Sequence, residues 1–199
     1  EFMVCDFTDA FYMLPLHEQE QRYYVAHVDG RFFVWARVAQ GSLNGPNTFG
    51  RLSALVGRLS QSLFPDDAVR LHIYSDDPIA IIRGTPSIRL RRRCTLCMVW
   101  LLLGFDLAYH KAQHGPKVTW IGYVLHREAA LIRASIKESF MTDFAKATAA
   151  LMNGNIIKTT ALRKYTGQAN HVSGLLFGWR PFLDTLWAAL HPKKTAKSN

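Results

Sequence analysis

The sequence lacks the features by which secreted, disulfide-rich and membrane-spanning proteins are recognised. It has three cysteines, Cys5, Cys94 and Cys97, and an odd number argues against a disulfide framework and favours a reducing compartment. Its longest apolar run, residues 97–103, is far shorter than the roughly 20 residues of a transmembrane helix. We find no signal peptide. We therefore expect an intracellular protein of the cytoplasm or nucleus that is not secreted and has no membrane partner.

Cys94 and Cys97 have the spacing of half a zinc site, but no second ligand pair lies nearby. Their surroundings read as helix. We therefore expect the pair to face a core rather than a metal.

Acidic residues are scarce relative to basic ones. The 199 residues include 24 Lys and Arg but only 15 Asp and Glu, for a net charge of +9. A basic balance of this size favours nucleic acid or another anionic surface as the partner, although a generic basic surface stays an alternative. Apolar residues make up 49% of the chain, enough for one sizeable core or one domain with an appendage.

One of the few acidic pairs is placed where it is costly. Asp76-Asp77 lies between β-forming apolar residues on both sides, and adjacent carboxylates raise each other's pKa and lose hydration. A third carboxylate, Asp6, follows another apolar segment. If the two segments are neighbouring strands, the three carboxylates converge on a site that suits Mg²⁺. The alternative is a solvated turn, which is how we interpret Asp66-Asp67, because it follows Phe64-Pro65 in a loop.

The remaining pattern predicts an α+β fold, with helices on one face of an antiparallel sheet. Residue spacing and turn signals predict strands at 2–7, 23–27, 31–38, 71–82 (a hairpin) and 118–125 (a pair). Helices are predicted at 45–64, 86–103, 135–152, 161–176 and 181–190. From residue 135 onward we expect helices only, with a frayed tail at 192–199.

Five segments, in this order and at this spacing, resemble the palm motifs of reverse transcriptases over residues 2–126. They are Val4-Cys5-Asp6-Phe7 with Phe11 through Leu16, Gln40-Gly41-Ser42 with Pro46, Tyr74-Ser75-Asp76-Asp77, Gly104 through Lys111, and Trp120-Ile121-Gly122-Tyr123. Residues 162–170 and 178–183 are similar to the thumb of retrotransposon polymerases. The Arg-Pro-Phe-Leu segment leans towards the tyrosine-recombinase (DIRS-like) elements, with LTR-type elements as the alternative.

The resemblance implies a palm at 1–126, without the fingers, and a helical thumb or connection-like region at 127–199. It implies an RNA-directed DNA polymerase that uses two Mg²⁺ ions, or Mn²⁺, to join a dNTP to a primer on an RNA or DNA template. Because basic residues of the fingers would hold the triphosphate, we expect this stretch alone to polymerise poorly. Two alternatives stay open: an inactive nucleic-acid-binding remnant, and an RNA-templated RNA polymerase, against which Phe11 argues.

The resemblance also assigns roles to residues. The expected catalytic residues are Asp6, Asp76, Asp77 and Lys111, the three aspartates being the metal ligands. The expected substrate-binding residues are Phe7, through its carbonyl, Phe11 as the gate against a ribose 2′-OH, Gln40, Gly41 and Tyr74. The expected primer- and template-binding residues are Trp120, Gly122, Tyr123, Lys158, Arg163 and Lys164.

Two features depart from the family pattern. Pro78 follows the Asp pair where the family has a bulky apolar strand residue, and proline removes a donor from a β-ladder. We therefore expect a distorted hairpin or a decayed element. The second departure is that the fingers, which in the family precede the first motif and hold the triphosphate with basic residues, are missing before Asp6.

Overall fold

The computed structural model describes residues 1–129, 131–154 and 156–191. Within these residues the strands are β1 (Phe2–Val4), β2 (Val25–Val28), β3 (Arg31–Val34), β4 (Val69–Tyr74), β5 (Asp77–Ile82), β6 (Gln113–Gly115), β7 (Lys117–Trp120), β8 (Tyr123–Glu128) and β9 (Leu131–Ile136). The α-helices are α1 (Glu18–Gln21), α2 (Gly45–Ser62), α3 (Pro86–Leu102), α4 (Glu138–Met152), α5 (Thr159–Ser173) and α6 (Arg180–Leu190). This mixture of helices with antiparallel strands confirms the predicted α+β class. No helix within the described ranges is long and apolar enough to cross a membrane.

The chain forms two compact units. The first comprises Glu1–Ile121 and Leu125–Ile132, and the second comprises Gly122–Val124 and the chain from Arg133 onward. The expected tail at 192–199 lies outside the described residues.

A four-stranded antiparallel sheet organises the first unit. Its strand order is β4-β5-β1-β6, so the hairpin of β4 and β5 lies directly beside β1. The register pairs Val4 of β1 with Ile79 of β5 and with Gln113 of β6. Strands that are distant in sequence therefore meet at the end of β1.

Helices α2 and α3 supply the core that supports this sheet. Proline near the start of each helix fits the first turn, where its missing N–H is not needed. Phe49 of α2 and Trp100 of α3 are almost fully buried, together with Phe7. The Trp100 indole donates a hydrogen bond to Ser60 Oγ over 3.0 Å, which satisfies the polar atoms that this packing buries.

The second unit has a smaller core of its own. Phe144 of α4, Val172 of α5 and Leu183 of α6 are buried together. The Tyr165 ring stacks on Phe144 with centroids 5.1 Å apart, and its hydroxyl lies 3.2 Å from that of Thr148. Aromatic side chains therefore tie α4 to α5.

Three expectations from the sequence differ from the structure. The prediction of helices only from residue 135 is wrong, because β9 continues to Ile136 and pairs with β8. The strand predicted at 2–7 ends at Val4, and the strand predicted at 31–38 ends at Val34. Past Val4, Cys5 and Phe7 are buried, and Phe7 forms only an isolated bridge with Leu107. Past Val34, Trp35 and Ala36 are exposed, and only an isolated bridge between Arg37 and Pro15 follows. An apolar run alone therefore does not make a β-ladder.

Candidate active site

The Asp pair lies at the tip of the hairpin formed by β4 and β5. Tyr74 and Asp77 form its last residue pair, so Ser75 and Asp76 make a two-residue turn. Ser75 has a φ of +56°, in the left-handed region that glycine usually occupies in such turns. This turn projects Asp76 beyond the sheet and keeps Asp77 on β5.

Asp6 lies beside this turn. Just past the end of β1, the Cys5 N–H donates to the Pro78 carbonyl over 3.1 Å, and the Phe7 N–H donates to the Asp76 carbonyl over 3.0 Å. These two bonds flank Asp6 and fix its backbone against the hairpin tip. The structure therefore brings the three predicted metal ligands to one end of the sheet.

The charges of these groups are coupled. Burial raises the pKa of Asp77, and the neighbouring carboxylates of Asp76 and Asp6 raise it further, while Lys111 opposes them. Lys111 donates a hydrogen bond to Asp6 Oδ2, which raises the pKa of the lysine. The backbone helps to form this pair, because the Ala108 N–H donates to the Asp6 carbonyl over 2.9 Å. Lys111 is thus the counter-charge of Asp6 in this arrangement.

The carboxylate oxygens of Asp6, Asp76 and Asp77 are suitable ligands for a hard cation, but their present placement does not group them around one. Carboxylate oxygens are the ligands that Mg²⁺ prefers, and burial together with the neighbouring carboxylates raises the pKa of Asp77. Nevertheless, among the residues that the structure describes, no three Asp, Glu, His or Cys side chains are grouped closely enough to hold a metal ion. A cation bound to Asp6 Oδ2 would have to displace the Lys111 ammonium, which donates to that oxygen.

Pro78 does not distort the hairpin, contrary to our expectation. The pairing runs without a break from Val69 and Ile82 to Tyr74 and Asp77, through the pair of Ile73 and Pro78. Pro78 is almost fully buried, and its carbonyl accepts the bond from Cys5. Its missing N–H faces the place where β1 ends, so no bond within the hairpin is lost.

The predicted substrate-binding residues divide into buried and exposed ones. Phe7 is 1% exposed and packs against Trp100 and Phe105, with ring centroids 5.6 and 4.7 Å away. Phe11 is half-buried in a short 3₁₀ helix, Ala10–Met13, and its ring lies 5.7 Å from that of Phe49. Gln40, Gly41 and Tyr74 are exposed.

The indole N–H of Trp120 forms a hydrogen bond with the backbone of the Asp pair. Its indole N–H donates to the Asp77 carbonyl over 2.9 Å. The sequence predicts Trp120 as a primer contact and carries no signal for this bond, since no local pattern relates residues so far apart in the chain. The bond connects the end of β7 to the strand that carries Asp77.

Gly122 and Tyr123 pack inside the second unit. The Tyr123 ring stacks on His171 of α5 at 4.5 Å, and its hydroxyl donates to the His171 carbonyl over 2.7 Å. A Cβ at Gly122 would lie only 2.7 Å from the His171 ring, so that position requires glycine. His171 lies outside the segments that carry the predicted site residues. Arg163 and Lys164 are exposed on α5, and Lys158 is exposed at its start.

Comparison with known proteins identifies the fold. No protein family and no curated protein matches the sequence. Three solved structures of the foamy viral protease–reverse transcriptase match over nearly the whole chain: one in complex with an RNA/DNA hybrid (15% identity, TM-score 0.63, 96% of this chain), one of a dRH form in complex with double-stranded DNA (16%, 0.64, 95%), and one in complex with double-stranded DNA (16%, 0.63, 95%). The chain spans 27%, 35% and 41% of those chains, respectively. It therefore has the fold of a reverse transcriptase fragment.

Proposed function

We propose that this chain is part of an RNA-directed DNA polymerase of a retroelement, which transfers a nucleotide from a dNTP to a primer 3′-OH. The observation that carries the proposal is the meeting of Asp6 with the Asp76-Asp77 turn, held by the bond from the Phe7 N–H to the Asp76 carbonyl. Carboxylates from two segments distant in sequence, at the end of a sheet, are what two-metal phosphoryl transfer requires. The reverse-transcriptase fold supports the same reaction.

In this proposal residues 1–126 are the palm and residues 127–199 are the thumb or a connection-like region. Asp6, Asp76 and Asp77 would hold Mg²⁺, or Mn²⁺, which when bound neutralises developing phosphate charge. Lys111, released from Asp6, would donate a proton to the leaving pyrophosphate. Trp120 would hold β5 in place through the Asp77 carbonyl.

Sugar selection would depend on Phe11. Its ring contacts Phe49 from a short helix that follows Asp6, and a fixed aromatic ring there would exclude a ribose 2′-OH. Gln40, Gly41 and Tyr74, all exposed, would meet the incoming nucleotide and the base pair, and the Phe7 carbonyl would add a further oxygen near the metal. This assignment favours a DNA polymerase over an RNA polymerase.

Template and primer would bind through basic and aromatic groups. The net charge of +9 supports a polyanionic partner, and exposed Arg163, Lys164 and Lys158 could contact phosphates. The foamy viral relatives were solved with an RNA/DNA hybrid or double-stranded DNA, which supports the same class of ligand here. We assign the element to the LTR or DIRS-like retrotransposons, acting inside the cell.

Primer extension tests the proposal. The chain, alone and fused to the N-terminal part of a foamy viral reverse transcriptase, is given an RNA template, a DNA primer, Mg²⁺ and either dNTPs or NTPs. We expect dNTP-dependent extension by the fusion, lost on Asp76→Asn, and a raised share of ribonucleotides on Phe11→Ala. Extension that survives Asp76→Asn would refute the proposed chemistry.

The second candidate is a nucleic-acid-binding remnant without turnover. The pairing of Lys111 with Asp6 favours it, because the ammonium already satisfies that carboxylate. This candidate predicts binding of template–primer that weakens steeply with salt, together with no extension by the fusion under any metal condition.

A further inference from the structure

All three cysteines of the chain line one cavity in the first unit. The cavity has a volume of about 380 Å³ and lies between the end of β1, one face of α3 and residues 107–114. Cys5 directly follows β1, while Cys94 and Cys97 come from successive turns of α3. The proposed polymerase chemistry uses none of these thiols.

The three thiols differ in their surroundings. Cys5 is only 5% exposed, Cys97 is half-buried and Cys94 is exposed, so the expectation that Cys94 faces a core is wrong. Cys97 packs against the buried core cluster that contains Cys5. The cavity therefore gives small solutes a route to both of these thiols.

The environment favours Cys97 as the reactive member of this pair. The hydrogen bond from Cys5 lowers the pKa of the Cys97 thiol to about 7, and Arg93, one turn earlier on α3, lowers it in the same direction although burial opposes both. Cys97 is also the more exposed of the two thiols. A thiolate reacts as a nucleophile where the thiol does not.

We propose that Cys97 and Cys5 form a peroxide-sensitive thiol pair that closes a disulfide between α3 and the segment just past β1. The Cys97 sulfur attacks hydrogen peroxide, the O–O bond breaks, and Cys97 becomes a sulfenic acid while one water leaves. The Cys5 sulfur then attacks the Cys97 sulfur, the S–O bond breaks, and a second water carries away the Cys5 proton. Two thiols and one peroxide thus give one disulfide and two waters.

A disulfide at Cys5 would affect the backbone next to Asp6. Cys5 directly precedes Asp6, and its N–H is bonded to the Pro78 carbonyl. A disulfide bond from Cys5 to α3 would restrict the backbone at Asp6, the next residue in the chain. The oxidation itself does not depend on polymerase activity, so it can be tested without it.

Peptide mapping of the whole chain tests the pair. After brief hydrogen peroxide treatment and alkylation, we expect the free thiols to fall from the three present in the sequence to one, and a peptide containing Cys5 to be joined to one containing Cys97. Cys94→Ser, the matched control, should leave this linkage unchanged. In Cys5→Ala the sulfenic acid should persist and be captured at Cys97 by dimedone.

Several results would overturn the proposal. A linkage that includes Cys94, dimedone captured only at Cys94, or three free thiols after peroxide would each do so. The mapping of the unsubstituted chain decides the question even if Cys5→Ala fails to fold. Circular dichroism of each variant shows whether that has happened.

Discussion

The chain contains two pairs of adjacent aspartates in very different surroundings. Asp66-Asp67 lies in an exposed turn between α2 and β4. There Asp66 is 71% exposed, forms an ion pair with Arg70 at 3.4 Å and accepts a hydrogen bond from Gln61. Water and an adjacent arginine satisfy this pair, so its charge costs the fold little.

Asp76-Asp77 has no lysine or arginine close by in the sequence to neutralise its charge. Both residues are half-buried, and burial together with Asp6 and Asp76 raises the pKa of Asp77. Lys111, the cation that opposes this rise, comes from a distant segment and is bonded to Asp6 instead. Flanking strands, and not the dipeptide itself, therefore decide whether two aspartates make a turn or a candidate metal site.

The largest expected difference between the two pairs is in catalysis. Asp76→Asn or Asp77→Asn should lower primer extension by the foamy viral fusion by about 100-fold or more, because charge neutralisation at the phosphate is a dominant contribution to phosphoryl transfer. Asp66→Asn and Asp67→Asn, which make the same chemical change, should leave the rate unaltered. Equal effects at both pairs would abolish the distinction between them.

Lys111→Met should separate metal binding from turnover. Without its ammonium, Asp6 is free to bind a cation, so Mg²⁺ affinity should rise. Extension should nevertheless fall by about tenfold or more, since a general acid has been removed. Calorimetric titration and primer extension measure the two quantities, with Lys117→Met as the control. If both quantities rise, Lys111 is only an inhibitor of metal binding.

Asp77→Asn should stabilise the metal-free chain. Because the pKa of Asp77 is raised in the folded state, ionised Asp77 destabilises the fold. This destabilisation is absent below the ordinary aspartate pKa of about 4 and develops as the pH rises through the raised value. We expect the Tm at pH 7 to increase by about 2 °C, with no increase at acid pH.

The matched variant Asp67→Asn should leave the Tm unchanged at both pH values. Added Mg²⁺ should raise the Tm of the unsubstituted chain more than that of Asp77→Asn. Thermal denaturation with and without Mg²⁺ measures all of these differences. A lower Tm for metal-free Asp77→Asn would mean that the carboxylate is stabilising, as it would be in a plain turn.

The sequence predicted the elements whose signals are local. Helical spacing of apolar residues predicted α2 and α3 to within two residues at either end. The β-formers around the Asp pair predicted the hairpin. By contrast β6, Gln113–Gly115, has no apolar pattern and exists because its backbone pairs with β1. Strands that form only by pairing with a neighbour in this way cannot be predicted from the periodicity of apolar residues.

The surroundings of the Asp pair were predictable only in part. The location of Asp6 near Asp76 followed from two apolar segments that were assumed to be neighbours. The bond from Trp120 to the Asp77 carbonyl did not follow, nor did the pairing of Lys111 with Asp6, since each depends on tertiary placement. A positive φ at Ser75 was also hidden, because serine carries no signal for that conformation.

Trp120→Phe should show how much the hairpin depends on that bond. Phenylalanine keeps an aromatic ring but removes the N–H, so the Asp77 carbonyl loses its donor. We expect the free energy of unfolding to fall by about 1 kcal/mol and extension to fall by about threefold. Trp187→Phe, in the second unit and half-exposed, is the control. If both tryptophan variants behave alike, the bond does not position Asp77.

Pro78→Leu should have the smallest effect on turnover, and its result bears on whether the Asp pair is a working site. The proline leaves the pairing of β4 with β5 unbroken and gives its carbonyl to Cys5, so leucine could restore only one donor facing the end of β1. Against that gain, a larger side chain in a fully buried position costs about 1–3 kcal/mol. We therefore expect extension by the fusion to change by less than about twofold, with a small decrease in Tm. An increase of tenfold or more would instead mean that Pro78 disables the site in the unsubstituted chain. In that chain Asp76-Asp77 would then differ from Asp66-Asp67 in burial alone.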